Sequence, residues 1–131
     1  MEKDDEKIRS LVSIATKRLS VVKSIKLSKD TVSFIVEGYY EVIKELLTAY
    51  LLKNGLRSKN HQCLITYFYK HNPQNEHETN SISQLSFYRN RLEYYGESIP
   101  TEFYEKNKKT IEEIITLLFK MFEGDNVVIG K

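Results

Sequence analysis

Apolar residues recur every three or four positions along most of this chain, which is the spacing of amphipathic helices. The first pattern covers residues 4–26 and has lysine, arginine, serine and glutamate on its other face. Its apolar face consists of Ile8, Leu11, Val12, Ala15, Leu19 and Val22. A second, more apolar pattern follows Ser28 and Asp30, either of which can cap a helix. This pattern continues to about Asn54, and Gly55 suits a left-handed cap at its end.

The middle of the chain contains a short helical pattern, a polar segment and a longer pattern. Residues 59–70 predict a short third helix. Residues 71–80 have no periodicity and contain a proline, so we expect an exposed loop there. Ser81 and Gln84 resemble a capping box, which predicts that a fourth helix begins at Ser81. The same pattern predicts that this helix ends at Gly96.

A last long pattern completes the predicted fold. Pro100 discourages helix just before it, and Thr101 can cap the helix that follows. Residues 124–131 are expected to be a loose tail or a short strand made on contact with a partner. The chain is therefore predicted to be one all-α domain, with a core over about 5–122 of residues 1–131. The expected architecture is an antiparallel up-and-down bundle of four main helices plus a short helix.

Composition narrows the setting without naming a function. The 131 residues are 40% hydrophobic and 29% charged, which is typical of a globular domain. A formal net charge of +2 gives no global signature of nucleic-acid binding, so any basic site must be local. No apolar run approaches the roughly 20 residues needed to cross a bilayer, and the polar N-terminus resembles no signal peptide. These two features predict no membrane partner. With Cys63 as the single cysteine, we expect a reduced, cytoplasmic setting.

The first candidate for chemistry is Arg89, which lies within an apolar stripe of the predicted fourth helix. Its helical neighbours are Ile82, Leu85 and Leu92. A guanidinium placed there without a partner would cost several kcal/mol. One interpretation is a structural ion pair with Glu37 or Glu41 of the second helix. The other is an arginine that borders a cleft and binds phosphate, for which its planar fork is well suited.

A second candidate is the aromatic patch around Arg91. Arg91 lies near Phe87, Tyr88, Tyr94 and Tyr95, and its guanidinium can stack on their rings. Mixtures of arginine and aromatic rings often hold single-stranded nucleic acid. Aromatic residues at helical spacing are also typical of a core or a dimer interface, and both interpretations remain open.

The remaining reactive residues predict neither a metal site nor a cofactor site. His61, His71 and His77 fit no common zinc spacing. Cys63 has no neighbouring base in the sequence, so we expect an ordinary buried thiol. The chain contains no glycine-rich phosphate loop, nucleophile elbow or paired-carboxylate motif. We therefore expect no bound metal and no cofactor.

Two segments together resemble a known family. The first, "EGYYEVIKELLTAYLLKNGLRSKNHQCLITYF" (37–68), is a long helix, a glycine stop and a short helix. The second, "YRNRLEYYGE" (88–97), carries an Arg-Asn pair on the penultimate helix. This combination resembles the HEPN domain, a small helical module, in its stand-alone archaeal and bacterial form. The resemblance covers about residues 5–122.

The resemblance implies a fold, an assembly and an activity. HEPN domains are helical bundles that usually dimerise, with their arginine-bearing helices facing each other across a cleft. Many are metal-independent RNases whose motif is an arginine, a polar residue and a histidine one or two turns later. Arg89 and Asn90 match the first two positions. Tyr94, Tyr95 and Gly96 stand where the histidine is expected, and a tyrosine, which titrates near 10, is a poor general base.

The resemblance also implies roles and partners. Such proteins are often the toxin of a pair whose antitoxin is a minimal nucleotidyltransferase. Arg89 would bind phosphate with Arg91 and Tyr88, Asn90 would orient it, and Tyr94 or Tyr95 would contact ribose or base. The implied ligand is RNA or a nucleotide, bound in the cleft of a homodimer. The alternative is a dimeric, non-catalytic scaffold for protein interaction, and a purely structural helical protein is a third interpretation.

Overall fold

The computed structural model describes residues 2–58 and 60–123, with the side chains described from Asp4 onward. In this part of the chain all regular structure is helical, which confirms the predicted all-α class. The elements are α1 (Glu2–Ser24), α2 (Val32–Lys53), α3 (His61–His71), a 3₁₀ turn (Pro73–Asn75), α4 (Glu76–Tyr95) and α5 (Thr101–Lys120). The antiparallel order of the helices stays a prediction. The predicted tail, 124–131, lies outside the described residues.

Helix α2 lies at the centre of the bundle and contacts each of the other four helices. The helix is buried on several sides along its length, because valine, isoleucine, leucine and tyrosine occur around most of its circumference. Helix α1 packs closely along α2. Gly38 permits this approach, because a Cβ atom at that position would collide with the side chain of Val22. Every other helix therefore packs against α2, including α4 on the side that bears Arg89.

Two glycines end helices as their positions predict. Gly55 has a φ of 81° and Gly96 a φ of 65°, both in the left-handed region that glycine adopts without strain. At the end of α4, the amide of Gly96 donates to the carbonyl of Leu92. The amide of Glu97 donates to the carbonyl of Arg91, which brings residue 97 back toward the last turn of the helix.

The predicted loop at 71–80 is wrong, because most of this segment is helical. Pro73–Asn75 form the 3₁₀ turn, and α4 begins at Glu76 rather than Ser81. Ser81 is buried inside the helix, and the Thr79 hydroxyl, also buried, donates to the carbonyl of Asn75. The inward face of this first turn is made of small polar residues, so hydrophobic periodicity does not reveal it.

Several helix starts and one side chain also differ from the predictions. Thr31, not Ser28 or Asp30, directly precedes α2, and Thr101 is the first residue of α5 rather than its cap. Helix α3 begins at His61, and Asn60 caps it by accepting a hydrogen bond from the amide of Cys63 at 3.0 Å. The predicted burial of Cys63 is wrong, since its side chain is exposed. The inner face of α3 consists instead of Leu64, Ile65 and Phe68.

Candidate functional site

Helix α4 carries two arginines that point to different surroundings. The side chain of Arg89 is 12% exposed, whereas that of Arg91 is 40% exposed. We call the first group the Arg89 cluster, which consists of Tyr40, Glu41, Lys44, His61, Arg89, Asn90 and Glu93. We call the second group the Arg91 surface, which consists of Phe87, Arg91, Tyr95 and Glu97. The predicted site is therefore divided between two sides of one helix.

Arg89 is held by two carboxylates of the same chain. Its Nη2 atom donates to Glu41 on α2 at 3.2 Å and lies 2.8 Å from a carboxylate oxygen of Glu93, one turn further along α4. The ion pair with Glu41 confirms one of the two partners predicted for a structural arginine. The Glu93 contact is an i,i+4 pair of the kind that helical spacing permits.

The other nitrogens of this guanidinium are less occupied. Nη1 donates to the side-chain oxygen of Asn90 over a long 3.4 Å. Nε is buried and has no hydrogen-bond partner in the described part of the chain. A buried donor left without a partner costs about 1–3 kcal/mol. Arg89 is therefore fixed at one nitrogen and retains donors at the other two.

His61 and Tyr40 join this cluster from α3 and α2. The Tyr40 hydroxyl lies 3.0 Å from Nδ1 of His61, and the two rings are 5.5 Å apart. The guanidinium carbon of Arg89 lies 5.9 Å from the centre of the Tyr40 ring. Tyr40 is almost fully buried, and burial raises the pKa of its hydroxyl, an effect partly opposed by a hydrogen bond from Ser86. The phenol thus stays protonated and fixes the orientation of the imidazole.

The surroundings of His61 favour its neutral form. Burial lowers the pKa of His61, and the positive charges of Lys44 and Arg89 lower it further. The carboxylates of Glu41 and Glu93 act in the opposite direction but less strongly. With a neutral imidazole, two cations and two carboxylates, the cluster has no net charge. An arriving anion would therefore favour the uptake of a proton by His61.

The Arg91 surface has similar chemistry in a more open position. The guanidinium of Arg91 donates to both oxygens of Glu97, from Nε at 2.7 Å and from Nη2 at 2.5 Å. Its carbon lies 5.5 Å from the ring centres of both Phe87 and Tyr95. These rings are 55% and 73% exposed. The left-handed turn at Gly96 makes this arrangement possible, because it returns Glu97 to the arginine.

The other predicted site residues lie apart from these two groups or within one of them. Asn90 contacts Arg89, as its sequence position predicts. Tyr88 is partly buried, and its ring lies 4.1 Å from that of Phe103, so it packs α4 against α5. Tyr94 is 71% exposed. The structure thus brings Arg89 together with Asn90 and Arg91 with Tyr95. Tyr88 borders the Arg91 surface only through the ring of Phe87, whose centre lies 5.5 Å from its own.

Sequence reasoning missed three members of the Arg89 cluster, which are Tyr40, Lys44 and Glu93, and set a fourth, His61, aside. Glu93 could be found from its i,i+4 spacing to Arg89. Tyr40 and His61 are 21 positions apart, and no local pattern joins them. His61 was considered only as a metal ligand. Among the described residues, no group of three or more histidine, cysteine or acidic side chains is arranged to hold a metal ion.

Two further findings bear on the class of protein. None of the described helices combines the length and apolar character that a membrane crossing requires. Comparisons of the chain with family models, with curated proteins and with solved structures give no significant match. The resemblance to HEPN domains therefore remains a prediction that rests on the two segments quoted above.

Proposed function

We propose that this chain is a HEPN-like domain that binds RNA or a nucleotide through phosphate at the Arg89 cluster. The observation that carries the proposal is the state of the Arg89 guanidinium. Two carboxylates hold one of its nitrogens, while Nε has no partner among the residues that the structure describes and Nη1 makes a single long hydrogen bond. An arginine fixed in this way loses little side-chain entropy when an anion binds.

The carboxylates position the arginine but also reduce its attraction for phosphate. A phosphate oxygen that replaced the side-chain oxygen of Asn90 as the partner of Arg89 Nη1 would gain a charge-assisted hydrogen bond. It would not need to displace Glu41 or Glu93, since both contact Nη2. Lys44 adds a second cation, and the proton that His61 can accept would offset the added negative charge. We expect affinity from this combination rather than from any excess of positive charge in the free protein.

The assembly and the setting follow from the resemblance. In this proposal two copies pair with their α4 helices facing each other, and the protein acts in the cytoplasm. The chain is the RNA-directed toxin of a pair, and its partner is the antitoxin, a nucleotidyltransferase. Light scattering on the purified chain tests the first part. A mass near twice 15.4 kDa is expected, and a monomer at micromolar concentration would contradict it.

The binding proposal is tested with labelled single-stranded RNA and a matched pair of variants. Arg89→Lys keeps the charge but removes the planar fork. Arg18→Lys makes the same change in an ion pair elsewhere, where Arg18 donates to both oxygens of Glu45, to Oε1 at 3.2 Å and to Oε2 at 2.9 Å. We expect Arg89→Lys to weaken RNA binding about tenfold, or about 1.4 kcal/mol, and Arg18→Lys to leave it within about twofold. Equal affinity in all three proteins would contradict the proposal.

A second candidate function, a non-catalytic scaffold for protein interaction, is favoured by the Arg91 surface. Exposed tyrosine and arginine are enriched in protein interfaces, where they carry much of the binding energy. The relevant observation is that Arg91 lies between two exposed rings, those of Phe87 and Tyr95. Arg91→Ala and Tyr95→Ala are expected to abolish dimerisation if this surface is the interface. They would leave the mass unchanged if it is not.

A further inference from the structure

A groove between α4 and α5 lies apart from the Arg89 cluster. The two helices touch where the rings of Tyr88 and Phe103 lie 4.1 Å apart. Beside this contact they leave a cavity of about 690 Å³, within the range of about 300–1,000 Å³ that is usual for ligand sites. No residue of the Arg89 cluster lines it. We call it the α4–α5 groove, and its walls include Asn80, Gln84, Phe87, Phe103, Lys106 and Asn107.

The α4 wall of this groove is a stripe along one face of the helix. Asn80, Gln84 and Phe87 follow the i, i+4 and i+7 spacing that places residues on the same side of a helix. The stripe is about 10 Å long, since each helical residue adds about 1.5 Å. All three side chains are exposed, and that of Phe87 is 55% exposed. This face of α4 is therefore not covered by another described helix.

The polar side chains of the groove are not paired with each other. Those of Asn80, Gln84 and Lys106 make no hydrogen bond or ion pair to any other described residue. The side-chain nitrogen of Asn107 donates to the carbonyl of Phe103 at 2.8 Å, which orients this carboxamide and leaves its oxygen as an acceptor. The groove therefore offers two complete carboxamides and one oriented oxygen to a ligand.

The rings at one end of the groove provide its apolar part. Phe87 and Tyr88 meet edge to face, with their centres 5.5 Å apart. Tyr88 in turn packs on Phe103, so the three rings form a continuous aromatic wall. Phe87 also belongs to the Arg91 surface, since the guanidinium carbon of Arg91 lies 5.5 Å from its ring centre. The groove thus continues into a surface that carries an exposed arginine.

The charges and polarity of the lining narrow the class of ligand. With histidine counted as neutral, the lining carries one negative and one positive charge, those of Glu102 and Lys106. The groove therefore has no excess of positive charge to attract a phosphate or another anion. A lipid chain would bury three carboxamides without partners, which is costly. The lining favours an uncharged ligand that has hydrogen-bonding groups and an apolar part.

An extended peptide matches these carboxamides in chemistry and in spacing. A carboxamide presents a donor and an acceptor in one plane, which is the pair of groups that a peptide unit also presents. Side chains one helical turn apart, such as those of Asn80 and Gln84, are about 5–6 Å apart at Cβ. Alternate residues of an extended chain are about 6.6 Å apart. The two side chains can therefore pair with alternate peptide units of one strand.

We propose that the α4–α5 groove binds an extended peptide segment of a partner protein. Asn80 and Gln84 hold alternate peptide units of that segment, and the oxygen of Asn107 accepts one of its N–H groups. An aromatic or proline side chain of the segment packs on the ring of Phe87. An acidic residue next to it pairs with Arg91, whose present ion pair is exposed. The inference goes beyond the proposed phosphate binding, since it uses no residue of the Arg89 cluster.

The experiment selects a phage-displayed library of random heptapeptides on the immobilised wild-type chain. Enriched peptides are synthesised with a fluorescent label, and their Kd is measured by anisotropy. The variants are Gln84→Ala and Phe87→Ala, with Gln62→Ala as the matched control, because Gln62 is an exposed glutamine on α3 outside the groove. All three residues are exposed, so we expect each variant to unfold near the wild-type temperature, which circular dichroism measures.

We expect the enriched peptides to combine an aromatic residue or proline with an acidic residue. They should bind Gln62→Ala within about twofold of wild type, while Gln84→Ala and Phe87→Ala each weaken binding about tenfold. A library that yields no saturable binder would overturn the inference. Enriched peptides that bind both folded groove variants as tightly as the wild type would also overturn it.

The same variants are measured with labelled single-stranded RNA, which separates this inference from the proposed function. We expect Gln84→Ala and Phe87→Ala to bind RNA within about twofold of wild type, because neither residue belongs to the Arg89 cluster. If Gln84→Ala weakened RNA binding as much as Arg89→Lys does, the groove would be part of a nucleic-acid site and the inference would be wrong. Wild-type protein that binds the peptides but no RNA would support the inference and overturn the proposed function alone.

Discussion

Arg89 and Arg91 lie two positions apart on one helix, and each contacts at least one carboxylate, but their surroundings differ. Arg89 is 12% exposed and joins α4 to Glu41 on α2. Arg91 is 40% exposed and contacts Glu97, which lies two residues beyond the end of the same helix. The first pair connects elements that are 48 positions apart in the chain, whereas the second spans six.

The difference shows that burial, rather than the pairing itself, decides what an ion pair does. An exposed pair is screened by water and salt, so it contributes little to stability and exchanges its partner easily. A buried pair is strongly destabilised when one member is removed, because the other is left as an uncompensated charge. Arg89 is therefore both a structural contact and a preorganised donor, and Arg91 is an adaptable surface contact.

The largest expected difference between the two arginines is in stability. Arg89→Ala leaves Glu41 and Glu93 without their cation and should lower the free energy of unfolding by about 3 kcal/mol. Arg91→Ala should leave it unchanged within the error of the measurement, because its pair is exposed. Urea unfolding of both variants measures the two values side by side. Equal losses would contradict the contrast between a buried and an exposed pair.

The next effect is a pH dependence that belongs to the Arg89 side alone. Because the pKa of His61 is lower in the folded chain than in the unfolded chain, the unfolded chain binds more protons at mildly acidic pH. The stability associated with neutral His61 is thus present above about pH 6.5, the ordinary value, and is lost as the pH falls through the folded pKa.

This pH dependence is measured by urea unfolding between about pH 5 and 8, in wild type and in His61→Gln. The wild type should lose stability toward acid more steeply than the variant, since glutamine does not titrate. His71→Gln is the control, as His71 lies at the far end of α3. Parallel curves for wild type and His61→Gln would show that the cluster does not perturb the histidine.

The smallest expected effect concerns salt. At the Arg91 surface, added salt screens the exposed pair with Glu97, so Glu97→Gln should change stability only slightly at low ionic strength and not at all near 1 M. At the Arg89 cluster, Glu41→Gln should destabilise the chain at both salt concentrations, because the pair is shielded from solvent. If 1 M salt abolished the destabilisation caused by Glu41→Gln, the Arg89–Glu41 pair would be as screened as the Arg91–Glu97 pair. That result would contradict the contrast between them.

Much of the fold follows from the sequence, because five helical segments have regular apolar faces and two of their ends have glycines. The start of α4 was missed for a physical reason. Its inward residues there, Thr79 and Ser81, are small and polar, and they are buried by tertiary packing. No hydrophobic period exists over that turn to indicate a helix.

The sequence predicts only part of the candidate site. An arginine in an apolar stripe requires a partner, and Glu41 was one of two candidates a single helical turn apart. The choice between Glu37 and Glu41 depends on the register of α2 against α4, which local patterns do not specify. His61 reaches the cluster only because α3 begins at the Asn60 cap and meets Tyr40 across the chain. That contact belongs to the tertiary structure.

The most direct test of phosphate binding at the Arg89 cluster is to observe the arginine Nε–H signals by ¹H–¹⁵N NMR during titration with single-stranded RNA. The Arg89 signal is identified by its loss in Arg89→Lys, and that of Arg91 by its loss in Arg91→Lys. We predict that the Arg89 Nε–H signal shifts as the guanidinium gains a phosphate at Nη1, while the Arg91 signal stays within the error of its free position. A shift confined to Arg91, with Arg89 unchanged at saturation, would contradict the account.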